Sequence, residues 1–483
     1  LPNGGRLYID SGYHPEYAAP ECAGHPNELV AHVMAGHEIV ASIAKSMEQR
    51  RDIGAVRIWR GNIDYRTKAS WGSHQNDLSD HKTDHHIANL LPFLVSRVII
   101  GGAGGWIPTG LGLQFCLSPR LIQFRDVVSE DTQYHRPLIN IRDEPHAERY
   151  YRVHLICRDS LISERAERLT IGLMRLVLRL SDLGIDLSKE VQLSNPLKAL
   201  RAICLDPSCQ RRVLLNNGKG MTAIEIQRYY LAHIEKHLKS LPDWAAEILE
   251  EAKLTLDQLS IDPLNLVGIL DWPTKLMLFQ SQLPQQSWDQ LQSDSELIET
   301  VYEFCGDTNV HKTEGELHAL SSDYLLKHTR DVCERKRDVQ LRDKGGIAWV
   351  DEFANLRNRM FYLDVLFSDL ENTLWQEFAD HSVNQISTET VQQAVNQPPT
   401  TTRAKLRGEL VTEHSGDPDY HANWTHVTGP DSIVDLSDPF ATQATTSDKS
   451  MGIRDRRNRV QRGIRAEFVE LLTSLPFSSK YVI

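Results

Sequence analysis

Near the start of the chain, Arg6, Tyr8 and Asp10 alternate with the aliphatic Leu7 and Ile9. A strand's period of two puts the cation, phenol and carboxylate on one face and points Leu7 and Ile9 toward a core. Gly12 and Pro15 then force a turn, and Glu16 and Glu21 follow closely, so the spacing predicts that up to three carboxylates converge near one end of the strand. Clustered carboxylates repel unless a cation sits among them, and oxygen ligands of this kind suit Mg²⁺, particularly Mg²⁺ carried by a nucleotide. The same residues also allow a plainer arrangement, with Asp10 capping the turn and both glutamates solvated.

Three further stretches carry groups of the same kind. His74 lies in the small-residue run SWGSHQN. In 136–142, Arg136, Leu138, Asn140 and Arg142 alternate with Ile139 and Ile141; in 151–158, Arg152 and His154 share a face opposite Tyr151, Val153, Leu155 and Cys157. Arginines placed this way suit triphosphate, because the guanidinium fork keeps its charge and matches phosphate oxygens in pairs. The alternative is a set of exposed faces with ion pairs to Asp143, Glu144 or Glu148. His81, Asp84, His85 and His86 are close in sequence, but adjacent residues point apart in either regular structure and no spacing supports tetrahedral closure around zinc.

These groups need elements to hold them. Asn27 is expected to cap a helix with Leu29, Val33, Val40, Ile43 and Met47 at helical spacing, packed against a sheet. Residues 55–60 read as a short strand, and 91–105 as a buried strand running into a glycine-rich hairpin rather than a phosphate loop, since no helix opens after it. Residues 163–183, stopped by Gly184, and the segment from Thr222 to about 239, with Thr222 and Glu225 as a capping box, read as structural helices. From 284 to 350 the chain reads as solvated charged helices and loops, an insertion; Pro398 and Pro399 mark a boundary near 386–400. Residues 441–463, polar and then rich in arginine, read as a surface helix or partner contact.

The 483 residues suffice for one large domain with a smaller companion. A net charge of −12 argues against bulk attraction to nucleic acid or anionic lipid, so phosphate must be held by a local basic site. Seven scattered cysteines suggest reduced thiols and a cytoplasmic setting, and no apolar run approaches the ~20 residues of a membrane span. The chain opens at Leu1 without a methionine, so the true N-terminus is expected to lie upstream.

NGGRLYIDSGYHPEYAAPEC resembles the active-site stretch of the Pup-ligase family and its sister deamidases, which are glutamine synthetase-like carboxylate–amine ligases. RPLINIRDEPHAERYYRVHLI and AVNQPPTTTRAKLRGEL resemble later family segments, and SWGSHQN resembles the histidine-bearing element of glutamine synthetases, with Gln75 where the family usually has Glu. The resemblance implies an α+β fold: a glutamine synthetase-like catalytic domain over 1–385, with a mostly antiparallel curved sheet backed by helices, and a small C-terminal domain over 386–483. It implies ATP and Mg²⁺ as cofactors, a Pup or Pup-like modifier and lysine-bearing proteins as partners, and Asp10 as catalytic base. By the same resemblance Arg6, Arg142, Arg152 and Trp424 of NWTHV meet nucleotide, while Tyr8, Glu16, His74 and His154 stand on the metal side. Ala19 replaces a nucleotide-contacting threonine, and the family's first strand has no counterpart. The TTRAKLRG run and the Asp10-to-Pro15 spacing favour ligase over deamidase; a scaffold with little catalysis is the rival of another class.

Overall fold

The computed structural model describes residues 1–10, 14–50, 52, 54–108, 112–131, 135–142, 147, 149–283, 288–304, 344, 347–371, 374–379 and 386–448. They divide into two compact units. One comprises Leu1–Ile58, Glu144–Tyr150 and Ile386–Ile483; the other comprises Trp59–Asp143 and Tyr151–Gln385. The first 58 residues thus cluster with the C-terminal segment and not with the residues that follow them.

In the first unit, Arg6–Ile9 pairs antiparallel with Pro15–Ala18, setting Tyr8 opposite Glu16. All four residues of the first strand are half-buried or exposed, so Leu7 and Ile9 do not reach a closed core as alternation predicted. The next helix, Pro26–Glu48, starts at Pro26, whose missing N–H costs nothing in the first turn. Its cap is His25, whose Nδ1 accepts from the Asn27 N–H at 3.1 Å; Asn27 itself lies inside the first turn, past the capping position. The helix buries Val30, Ala31, Ala35 and Ala44 rather than the larger aliphatics expected, and Ile43 is exposed. Small residues win because the partners are close: the helix packs mainly against helix Thr388–Asn396 and, on the hairpin, against strand Pro15–Ala18, where a side chain at Gly36 would overlap the Tyr17 ring. Helix Ala404–Glu413 and the antiparallel strands His421–Ala422, His426–Thr428, Ser432–Asp435 and Thr445–Asp448 complete the unit, with Leu406, Val427, Val434 and Leu436 as their core.

The second unit has a four-stranded sheet in the order Gln75–Ser79, Tyr151–Leu155, Pro137–Asn140, Asp126–Ser129. Two pairings are antiparallel and the last is parallel. Helices Thr83–Ser96, Glu164–Asp182, Pro196–Cys204, Ala223–Lys236 and Ala245–Ile261 share its apolar core, in keeping with the expected α+β class. Residues 91–101 belong to helices Thr83–Ser96 and Val98–Gly101, not to a strand; a run buried on every side carries no period to tell the two apart. The glycines beyond them do lead into a hairpin, Gly105–Trp106 against Phe115–Cys116. Residues 54–58 are irregular, and Trp59 makes only an isolated bridge to Asp369. Helix Trp288–Phe304 is not merely solvated: Leu291 and Ile298 are buried, and the Gly112 N–H donates to Glu299 at 2.6 Å. Most of the expected insertion and the arginine-rich 449–463 lie outside the described residues. Among the described residues, no helix is long and apolar enough to cross a membrane.

Candidate active site

The hairpin register decides what Tyr8 and Glu16 do. As directly opposed residues they face the same side, and the Tyr8 hydroxyl donates to the Glu16 carboxylate. Asp10 follows the strand and is tied to the returning chain by its N–H, which donates to the His14 carbonyl at 3.1 Å. This turn brings His14 Nε2 to 3.9 Å from Asp10 Oδ2. Ligand atoms of Asp10, His14 and Glu16 all lie within 4.8 Å of one another, the one such metal-capable group among the described residues. Burial pushes the Glu16 carboxyl up, and the nearby Asp10 charge pushes it further against the opposing pull of the Tyr8 hydrogen bond. Burial, the Glu16 hydrogen bond and the neighbouring carboxylates raise the Tyr8 phenol as well. Two anions crowded on a partly desolvated hairpin are what a divalent cation relieves, so the donor set fits Mg²⁺.

Glu21 does not join that group, contrary to the expected convergence of three carboxylates. Arg403 Nε donates to its Oε1 at 2.7 Å, and Arg407 donates to both oxygens. Burial alone would raise the Glu21 carboxyl, but Arg407 and Arg403 more than offset this and hold it below its ordinary value. The two arginines stand four apart on adjoining turns, which aims both at one acceptor. Arg407 is 2 % exposed, donates to the Gly4 carbonyl at 2.8 Å, and sets its guanidinium 4.7 Å from the Trp424 ring centre. Arg6 lies 5.4 Å from the same ring, so two of the predicted nucleotide residues meet.

In the second unit the strand pairing of Asn76 with His154 brings His74, just before its strand, alongside His154. Their rings stand edge to face at 5.2 Å, and Arg152 Nη2 lies 2.8 Å from His154 Nδ1. Desolvation, then the Arg152 charge, then His74 push His154 down to about 3. The imidazole is therefore neutral at ordinary pH, the form in which it binds a metal. Arg142 is exposed beyond the Pro137–Asn140 strand, its N–H donating to Asn140 Oδ1 at 2.9 Å. Gln75 is buried and accepts from Arg97 at 3.4 Å. His86, set aside as a zinc ligand, is buried between the hydroxyls of Ser79 and Ser181, each at 2.8 Å.

Sequence reasoning missed His14, Arg403 and Arg407. His14 was legible in principle as the residue four after Asp10 across a turn. Arg403 and Arg407 were visible only as a motif, because their acceptor Glu21 lies some 380 positions away.

The sequence profile described as Pup-ligase protein matches residues 1–337 and 335–428. The chain is 32% identical to the Pup–protein ligase of Acidimicrobium ferrooxidans over 464 residues, covering 93% of this chain and 88% of that one. It is 38% identical to the Pup deamidase/depupylase of Mycolicibacterium smegmatis over 288 residues, 58% of this chain and 57% of that one. The fold is similar to the Pup ligase PafA in complex with ADP (TM-score 0.66, 23% identity, 96% of this chain and 89% of that one). It is similar also to PafA from its complex with Pup (TM-score 0.68, 21% identity, 100% and 87%). With a profile match across most of its length and a ligase relative aligned over 93% of it, the chain belongs to the Pup-ligase family.

Proposed function

We propose that this protein is an ATP-dependent ligase that joins the side-chain carboxylate of the C-terminal glutamate of Pup, or a Pup-like modifier, to a lysine of a target protein. The observation that carries the reading is the hairpin itself. It presents Arg6, Tyr8, Asp10 and Glu16 together, in a chain aligned over 93% of its length with a Pup–protein ligase. Amide formation from a carboxylate and an amine is uphill in water, so the carboxylate must first become an electrophile. Attack of its oxygen on the γ-phosphorus of ATP releases ADP and gives a glutamyl phosphate; the lysine amine then attacks the carbonyl carbon and phosphate leaves. A lysine ammonium has a pKa of about 10.4 and must lose its proton before it can attack.

Asp10 takes that proton, and its N–H bond to the His14 carbonyl holds the residue at the mouth of the turn. Arg6 and Trp424 bind nucleotide in the first unit, and Arg142 and Arg152 bind phosphate oxygens in the second, the guanidinium matching them in pairs. Tyr8 and Glu16, and in the second unit His74 and His154, are the residues that would hold Mg²⁺. Mg²⁺ held by such groups would supply screening of phosphate charge during phosphoryl transfer. Such chemistry draws on cytoplasmic ATP.

The test incubates the protein with Mg-ATP, a Pup-like protein ending in Glu and a lysine-bearing target, and reads peptides by mass spectrometry. A branched glutamyl-lysine peptide supports ligation. Its loss from a pre-made conjugate supports the second reading, a deamidase or depupylase, which the 38% identity to such an enzyme over part of the chain favours. Asp10→Asn is expected to retain ATP binding and lose isopeptide formation; ligation at the unsubstituted rate by that variant refutes the role of Asp10.

A further inference from the structure

We infer that Arg407, oriented by Glu21, is a positioning residue for nucleotide, acting through Trp424 without itself meeting the ligand. The inference rests on the reading of Trp424 and Arg6 as nucleotide contacts. Arg407 is one of the largest fully buried side chains in the protein, and each part of its guanidinium is committed. Nε donates to the Gly4 carbonyl at 2.8 Å, Nη1 to Glu21 Oε1 at 3.3 Å, and Nη2 to Glu21 Oε2. Those bonds fix the plane of the guanidinium, whose central carbon Cζ lies 4.7 Å from the centre of the Trp424 ring. Trp424 in turn meets Arg6 at 5.4 Å. An indole that stacks on a ligand has two faces and free rotation about its side-chain bonds; a flat cation locked beside it removes part of that freedom before the ligand arrives.

The backbone around the pair is built for this closeness. Gly4 has φ +78°, and a side chain there would press on the Ala404 carbonyl; a side chain at Gly408 would overlap the Pro2 carbonyl. Glycine at both positions lets the segment that leads into the strand of Arg6 lie directly on the helix that carries Arg407. Arg403 shares Glu21, and it donates as well to the Leu436 carbonyl at 2.8 Å, bracing the acid from the other side. Lysine in place of Arg407 keeps the charge and reaches Glu21, but it offers no planar surface and cannot hold Gly4 and both carboxylate oxygens at once.

The experiment compares R407K, E21Q, R403K, W424F and the R407K/W424F pair in the full chain, reading KM for ATP against kcat, and mant-ADP binding. R407K and E21Q are each expected to raise KM for ATP about 10-fold with kcat at saturating ATP within about twofold, because only preorganisation of binding is lost. R403K keeps a cation beside Glu21 and leaves every bond of Arg407 to Gly4 and Glu21 in place, so it is expected to leave KM for ATP within about twofold of the unsubstituted protein. W424F is expected to raise KM, and R407K on that background to add little, since both act through one ring. Additive effects of R407K and W424F, or a fall in kcat with KM unchanged, overturn the inference. An unchanged KM in W424F overturns the reading beneath it and the inference with it, whereas a raised KM in W424F beside an unchanged one in R407K overturns the inference alone. If R407K does not fold, E21Q carries the test, with an unchanged KM counting against the proposal.

Discussion

His154 shows how far one side chain's surroundings set its chemistry. Desolvation is the main reason its imidazole stays neutral, and the Arg152 charge adds to it. Arg152→Ala is therefore expected to raise the His154 pKa from about 3 while leaving it below 6.5, because burial persists; a proton NMR titration of the ring reads this directly. Tyr8 and Glu16 were legible as a pair once the turn between them was placed, since register alone sets them opposite one another. Glu21 looked the same in sequence, an acid a few residues further on. What separates it is a pair of guanidiniums from the far end of the chain, and no local pattern reports them.

Elements were legible where their ends are chemically marked. The capping box of Thr222 and Glu225 is formed in both directions, Thr222 Oγ1 accepting at 3.2 Å and Glu225 accepting at 2.7 Å. Thr222→Ala is expected to cost about 1 kcal/mol of stability, seen as a lower midpoint in urea. The buried helical run over 91–101 reads as a strand for the opposite reason: it is mostly apolar and buried on every side, so no period separates the two. Helix Pro26–Glu48 carries a pH-sensitive contact. His32 is buried and pushed down to about 4, mainly by desolvation. Because its folded value lies below the ordinary 6.5, the unfolded chain binds the extra proton first. Stability from this site is complete above pH 6.5 and is lost as pH falls through about 4. Thermal melts between pH 7 and 4 are expected to show this loss, and His32→Gln to reduce it.

At the scale of the molecule, the first unit is assembled from segments far apart in sequence. Asn3 donates to the Ala394 carbonyl at 3.0 Å, Thr402 to the Glu21 carbonyl at 2.6 Å, and the Pro26–Glu48 helix buries its alanines against Thr388–Asn396. A chain cut after residue 385 is expected to lose the fold of residues 1–58, read as rapid trypsin cleavage there, and to regain protection when 386–483 is supplied separately. A sequence boundary near 386 was legible from its prolines. That the opening residues fold with what lies beyond it was not, because loop closure over so long a span leaves no local signature. The same arrangement orders events during synthesis. While the ribosome is still translating the middle of the message, the emerging hairpin has neither Arg407 nor Trp424 beside it, so these contacts form only after residue 424 has been added.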